Sequence, residues 1–289
     1  MCGIFGVVRR PHNWQTTTIA NNDKVIKKLF EALAKRSMMR GTDSTGAILV
    51  RRSSSIATTY QNNPPSYKSK NGMLFMAKDN VSADKFIKGQ SYLKMMDCMD
   101  ENTLGLIGHT RESSSASPHD NANNHPHVCG SVVGVHNGHI SNWKKLVTRY
   151  NLKMKGGCDS EVIFGLINKF MEKDHMTIRT AIQRASTVLK GYYACAMATS
   201  NMPENIYLFR QGAPLKIRHR TYGNVILFAS EDKFIRGAFK DAGIETDHSD
   251  CYYDMNEYLL PDGHGLILDS KTKDYLSWIR EAPPFKLDA

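Results

Sequence analysis

The densest chemistry in the chain stands at its start, Met1-Cys2-Gly3-Ile4-Phe5-Gly6-Val7. Cys2 directly follows a methionine whose removal would leave a thiol and a free α-amine on one residue. The thiol is a nucleophile. The amine, with an ordinary pKa of about 7.7–8.0, can serve as its general base near neutral pH. Gly3 and Gly6 allow close backbone approach. Ile4, Phe5, Val7 and Val8 read as a buried strand that holds Cys2 at a sheet end.

Other stretches carry groups that suit such a nucleophile. Arg40-Gly41-Thr42-Asp43-Ser44-Thr45-Gly46 reads as a structured turn leading into a strand, with Asp43 and Ser44 able to satisfy local amides. Residues 104–111 read as a strand ending on Arg111. Its guanidinium is either a surface ion-pair partner or a fork for a carboxylate. Asn137-Gly138 fits a tight hairpin turn. It also fits an oxyanion hole, an Asn amide beside a Gly backbone N–H, in which one lost donor costs about 10²–10³-fold in rate. Asp159 either caps a helix or points into a site and holds an ammonium group.

The elements that must position these residues follow from periodicity. Helices are expected over residues 23–38, with Asn22 or Asp23 as cap, and over 82–99, 162–173, 178–189 and 234–241. Strands are expected over 73–77, 192–198, 206–210, 215–218, 225–229 and 265–269. Residues 9–22, 51–71 and 112–124 read as loops. The order is strand, helix, many strands, two helices, many strands, which suggests helices packed on facing sheets.

Composition bounds the function. The chain has 289 residues, 41% of them hydrophobic and 23% charged, enough for one large domain or two small ones. No apolar run approaches the ~20 residues of a membrane span, and no signal-like pattern opens the chain, so a cytoplasmic, non-membrane protein is expected. Cys2, Cys98, Cys129, Cys158, Cys195 and Cys251 are scattered without a C-x-x-C pair, which fits a reducing compartment better than a disulfide framework. The histidines His109, His119, His125, His127, His136 and His139 lack familiar ligand spacing, so no metal and no cofactor is expected. The net charge of +10 fits an acidic partner or a solvated surface. Without a long basic run or a recognisable motif, nucleic acid is a minor reading.

Taken together, the motifs resemble the class II glutamine amidotransferase domain, a branch of the N-terminal-nucleophile hydrolases. The likeness runs in order through Cys2-Gly3-Ile4-Phe5-Gly6, Arg40-Gly41-x-Asp43-Ser44-x-Gly46, Gly108-His109-Thr110-Arg111, His125-Pro126-His127, His136-Asn137-Gly138 and Asp159-Ser160-Glu161. It continues through Gly191-Tyr192-Tyr193-Ala194, Pro214-Leu215 and Phe228-Ala229-Ser230-Glu231. It is strongest to the glutaminase half of glucosamine-6-phosphate synthase and covers roughly residues 2–269, leaving 270–289 as a short tail.

The resemblance implies an α+β fold, a four-layer αββα sandwich of two antiparallel sheets between helix layers. It implies Cys2 as nucleophile with its own amine as base, and Asn137 and Gly138 as oxyanion hole. Arg40 would support the site. Arg111 would bind the α-carboxylate of glutamine and Asp159 its α-ammonium, with His125 and Ser114 lining the pocket. The reaction expected is attack on the side-chain amide, a γ-glutamyl thioester, and release of glutamate and ammonia. No synthase-like region follows, so a stand-alone subunit feeding a separate synthetase is expected. Its oligomeric state is unreadable. The competing expectations are hydrolysis of another amide, and a non-catalytic module that binds a partner or nucleic acid. Two departures stand out: Glu112 follows Arg111 where the resembling synthase carries a tryptophan that closes the site and gates ammonia, and residues 51–102 read as longer than in that relative, a candidate partner or lid surface.

Overall fold

The computed structural model describes residues 2–9, 22–52, 67–68, 73–113, 116–220, 225–244, 255–269 and 285–287. Most of the expected loops at 9–22 and 51–71, and Ser114, lie outside the described residues.

Alternating apolar residues build two antiparallel sheets. The first comprises β1 (Gly3–Arg9), β2 (Ser44–Arg51), β3 (Tyr67–Lys68), β4 (Leu74–Asp79), β5 (Thr103–Arg111), β10 (Lys216–Arg220), β11 (Val225–Ala229) and β12 (Met255–Tyr258). Its order is β12-β10-β11-β1-β5-β2-β4-β3, so β1 is central, flanked by β11 and β5. The second comprises β6 (His127–Cys129), β7 (Val132–Ile140), β8 (Gly191–Thr199), β9 (Asn205–Gln211), β13 (His264–Asp269) and β14 (Phe285–Lys286), in the order β14-β13-β9-β8-β7-β6. Phe285–Lys286, within the segment read as a tail, therefore pair with β13 at the edge of this sheet.

The period of two decides the layers. On the first sheet, Phe5, Val7, Ala47, Leu49 and Leu227 face a helix layer of α1 (Asp23–Ser37), α2 (Ala83–Phe86), α3 (Gln90–Met96) and α7 (Asp232–Asp241). Ile4, Val8, Ile48 and Ile107 face the other way and meet Val133, Val135, Ala196 and Leu208 of the second sheet. The outer face of that sheet, with Val132, Cys195, Met197 and Tyr207, packs on α5 (Ser160–Lys173) and α6 (Ile178–Ser186), beside α4 (Trp143–Tyr150). The result is the four-layer αββα sandwich.

Local sequence sets the element ends. The Asn22 side chain accepts from the Val25 N–H at 3.3 Å and caps α1, whose last turn carries Lys35 and Arg36. The helix expected over 82–99 is two short helices, α2 and α3, separated at Gly89, a weak helix former that serves as the cap position of α3. Helix α4 and strand β12 are not anticipated from the sequence: each is short, and only Leu146 of α4 is fully buried. Asn137-Gly138 is no hairpin turn, because both lie inside β7 and pair with Ala194 and Tyr193 of β8.

Candidate active site

The site begins where β1 begins. Ile4 pairs with His109 on β5, and its N–H donates to Ser230 Oγ at 2.9 Å on the other flank. Cys2 lies just before that strand, on the same alternation as the inward-facing Ile4. Its Sγ is 3.6 Å from the Glu112 carbonyl oxygen, and its own carbonyl accepts from Arg40 Nε at 2.7 Å. Burial pushes the Cys2 thiol up. Hydrogen bonding to the Glu112 backbone, the positive chain terminus, Arg111 and Arg40 oppose that shift.

Arg40 ends a short 3-10 turn at Met38–Arg40 and is only 8% exposed. The next residue is Gly41 for a steric reason: a Cβ there would come within 2.3–2.5 Å of Arg111 and Glu112 backbone atoms. Asp43 then fixes the same crossing. Its N–H donates to the Arg111 carbonyl at 3.0 Å, and its carboxylate accepts from the Ser113 N–H at 2.7 Å.

Arg111 is 3% exposed at the end of β5. Nη1 donates to Asn124 Oδ1 at 2.8 Å and Nη2 to the Ala116 carbonyl at 2.6 Å. These bonds use one hydrogen on each terminal nitrogen, so the guanidinium is fixed in orientation while its remaining donors can take a carboxylate. Asn124 is held in turn: its carbonyl accepts from Lys78 Nζ at 2.7 Å. Burial lowers the Lys78 ammonium to about 8.

The second sheet supplies the facing wall. Asn137 shares the inward alternation of Val133 and Val135 and so points at the first sheet. Gly138 has φ +148°, and a Cβ there would stand 2.0 Å from the Tyr192 carbonyl oxygen. Glycine is required by both facts. Asp159 sits at the N-terminus of α5 but makes no side-chain capping bond to the helix. Its carboxylate instead accepts from the Ile140 N–H at 2.7 Å and lies 3.6 Å from His139 Nδ1, with 12% of the side chain exposed. That bond ties the helix start to the end of β7, beside Asn137 and Gly138.

One hydrogen bond joins the two walls. His109 Nε2, on the strand paired with β1, donates to the His136 carbonyl at 3.0 Å, next to Asn137. His136 Nδ1 is 2.8 Å from Ser160 Oγ on α5. His125, expected to line a pocket, is buried between the sheets: it stacks on His109 at 3.9 Å and meets His127 edge-on at 4.6 Å. Burial drives all four rings towards the neutral form, His109 to about 3 and His136 to about 4, with His125 and His127 well below the ordinary value. Among the described residues, no group of three or more His, Cys, Asp or Glu is arranged to hold a metal ion. No helix among them is long and apolar enough to cross a membrane.

The arrangement gathers Cys2, Arg40 and Arg111 from the first sheet's side with Asn137, Gly138 and Asp159 from the second. Asn124, Glu231 and Asp43 also belong to it through their bonds to Arg111, Arg40 and Ser113, although sequence reasoning gave the first two no role. Asn124 lies in an Asn-Asn step of a polar loop with no periodicity, and Glu231 ends the Phe228-Ala229-Ser230-Glu231 stretch, which carries the resemblance but names no role for it.

Comparison with known proteins decides the family. The glutamine amidotransferase domain family matches residues 109–237. Glutamine–fructose-6-phosphate aminotransferase (isomerizing) of Streptococcus agalactiae is 30% identical over 224 residues, covering 75% of this chain. The chain carries a class II glutamine amidotransferase domain. It spans only 30% of that relative's length. The corresponding enzyme of Streptococcus pneumoniae is 37% identical over 120 residues, 40% of this chain and 20% of the relative. In fold, the chain is similar to the glutamine phosphoribosylpyrophosphate amidotransferase of B. subtilis. The TM-score is 0.62 at 18% identity, over 99% of this chain and 49% of that one. The structural likeness agrees with the four-layer αββα sandwich built above.

Proposed function

We propose that this chain hydrolyses the side-chain amide of glutamine and supplies the ammonia to a synthase. The observation that carries the reading is the cross-sheet His109–His136 bond. It joins the strand beside Cys2 to the strand that bears Asn137 and Gly138. In the proposed reaction Cys2, freed of Met1, attacks the amide carbon through Sγ. Its α-amine takes the thiol proton and delivers it to the leaving nitrogen as the C–N bond breaks. Asn137 Nδ2 and the Gly138 N–H stabilise the oxyanion. Water then cleaves the γ-glutamyl thioester, giving glutamate and restoring the thiol. Arg111 takes the α-carboxylate and Asp159 the α-ammonium, and this pairing of opposite charges favours a free amino acid over another amide. Arg40 supports Cys2 through its carbonyl. His125 backs the pocket from the histidine cluster.

The relatives named above, whose names pair glutamine with an acceptor, support the transfer of ammonia to a synthase. We take residues 2–269, together with the edge strand Phe285–Lys286 that pairs with β13, as the glutaminase domain and the acceptor synthase as a separate polypeptide. The five described cysteines are free, which supports a reducing, cytoplasmic setting.

The test is glutamate release from glutamine by the purified protein, with Cys2→Ala alongside and the N-terminal mass determined. Release that depends on Cys2 in a chain lacking Met1 is expected. Equal release by Cys2→Ala, or turnover of unrelated amides in preference to glutamine, would refute the reading. The mass of the native polypeptide, and capture of a synthase that turns the ammonia over, test the separate acceptor.

A further inference from the structure

The turn from β11 into α7 holds the nucleophile's strand by two independent routes. Ser230 grips Ile4 directly: the Ile4 N–H donates to Ser230 Oγ at 2.9 Å, and the Ser230 N–H donates to the Ile4 carbonyl at 2.9 Å. Glu231 acts one step further away. Its Oε1 accepts from Arg40 Nη1 at 2.9 Å, while Arg40 Nε donates to the Cys2 carbonyl at 2.7 Å. Arg40 is 8% exposed, yet Glu231 keeps 30% of its side chain in contact with solvent. Its other oxygen, Oε2, meets Lys233 Nζ at 2.9 Å.

The chemistry of this chain of contacts is directional. A carbonyl oxygen accepting from a guanidinium fixes the peptide plane of Cys2, and that plane sets where the α-amine and the Cα–Cβ bond point. An arginine has many rotamers, and one hydrogen bond to a carbonyl does not choose among them. The carboxylate on its far side does, because Nε and Nη1 are then both committed. Hydrogen bonds from Lys233 and then Arg40 hold the Glu231 carboxyl below its ordinary range, so it stays an anion at neutral pH.

We propose that Glu231 is a positioning residue for the nucleophile, acting through Arg40 on the Cys2 carbonyl, with Ser230 as its partner on Ile4. The proposal rests on the glutaminase reading for its kinetic consequence, but its structural content stands apart from it. Glu231 touches no part of a bound glutamine as that substrate is proposed to lie, since Arg111 and Asp159 hold the two ends. Its loss therefore acts on the reacting thiol and leaves substrate capture alone.

The experiment uses the full chain with Glu231→Ala and Glu231→Gln, each normalised to folded protein by circular dichroism. Two quantities are read: steady-state glutaminase kinetics, and the rate of Cys2 alkylation by iodoacetamide, followed by mass spectrometry of the N-terminal peptide. Glu231→Ala is expected to lose about tenfold or more in kcat, a barrier increase of about 1.4 kcal/mol, with KM within about twofold. Alkylation is expected to slow in parallel. Glu231→Gln keeps an acceptor oxygen for Arg40 and is expected to recover part of both losses. It also serves if the alanine variant fails to fold. Alkylation and kcat unchanged in both variants, or a KM rise that accounts for the whole loss, would overturn the proposal. Alkylation needs no turnover, so a wild-type protein without glutaminase activity would refute the proposed function while this arm still decides the role of Glu231.

Discussion

Replacing Gly138 with alanine tests the second wall of the site with numbers drawn from the backbone. The new Cβ would sit 2.0 Å from the Tyr192 carbonyl oxygen and 2.8 Å from Tyr193 Cα. Ordinary contact begins near 3.4 Å, and both obstacles are backbone, so no side chain can swing away. Strands β7 and β8 must part where Gly138 faces Tyr193. The φ of +148° adds strain that an alanine does not tolerate. Strain of that kind costs about 1–3 kcal/mol, and a disturbed buried backbone hydrogen bond about 1–3 kcal/mol. The sum, about 2–6 kcal/mol, corresponds to a melting point lowered by about 4–12 °C at about 2 °C per kcal/mol for a chain of this length. Circular dichroism melts measure that shift. Glutamate release at 20 °C, well below either melt, measures the displaced donor, for which a loss of about 10²–10³-fold in kcat is expected. A Gly138→Ala protein that melts within 2 °C of the parent and turns over at the parental rate would refute both the strand geometry and the oxyanion role.

Cys2→Ala is expected to abolish glutamate release while leaving the far-UV spectrum and melting point unchanged, because the half-buried thiol makes one long contact, to the Glu112 carbonyl. Asp159→Asn keeps an oxygen for the Ile140 N–H but loses the charge that faces an ammonium. KM for glutamine is expected to rise about 10–100-fold with the melt unchanged, and an unaltered KM would remove Asp159 from substrate binding. Stability is expected to fall in acid. The pKa of His109 is about 3 and that of His136 about 4 in the fold, against about 6.5 unfolded. The unfolded chain then binds more protons below pH 6.5, and folded stability drops as pH falls towards 4. The loss is about 2 kcal/mol per histidine at pH 5. Urea melts at pH 7, 6 and 5 read it directly, and a flat midpoint across that range would show that the rings are not buried as described.

Much of this architecture is legible in the sequence, and the exceptions have physical causes. Strand β1 and helix α1 announce themselves by their apolar faces: β1 is apolar on both, with Ile4 and Val8 on one and Phe5 and Val7 on the other, and α1 is apolar on one, with Ile26, Leu29, Phe30 and Leu33. Helix α4 is obscured because it buries little beyond Leu146. Asn137-Gly138 reads equally as a turn. Only pairing with Ala194 and Tyr193, more than fifty residues away, puts it inside a strand. The Asp159 position reads in the sequence as either a helix cap or a substrate ligand; in the fold its side chain makes no capping bond and accepts instead from the Ile140 N–H. Residues that act through another residue left no signal of their role, even where, as with Glu231, they fall in a stretch that carries the resemblance. The Asn124 contact to Arg111 and the Glu231 contact to Arg40 span loop and sheet boundaries that no local pattern encodes.

The distribution of roles between the two sheets carries its own consequence. The proposed nucleophile and carboxylate clamp come from β1 and β5 of one sheet, and the oxyanion donors and ammonium clamp from β7 and α5 of the other. Neither sheet holds a site alone. Their relative placement is set by the apolar seam of Ile4, Ile107, Val133 and Val135, and near Cys2 by the His109–His136 bond. The seam is non-directional and tolerates sliding, since burial is roughly proportional to area whatever the register. The hydrogen bond is directional and does not. A neutral His109 is needed for that register without an unpaired buried charge, and burial keeps it neutral well below physiological pH. The histidine cluster thus turns a slippery apolar interface into a fixed register between the strand that follows Cys2 and the strand that bears Asn137 and Gly138. Its rings need touch no substrate to do so.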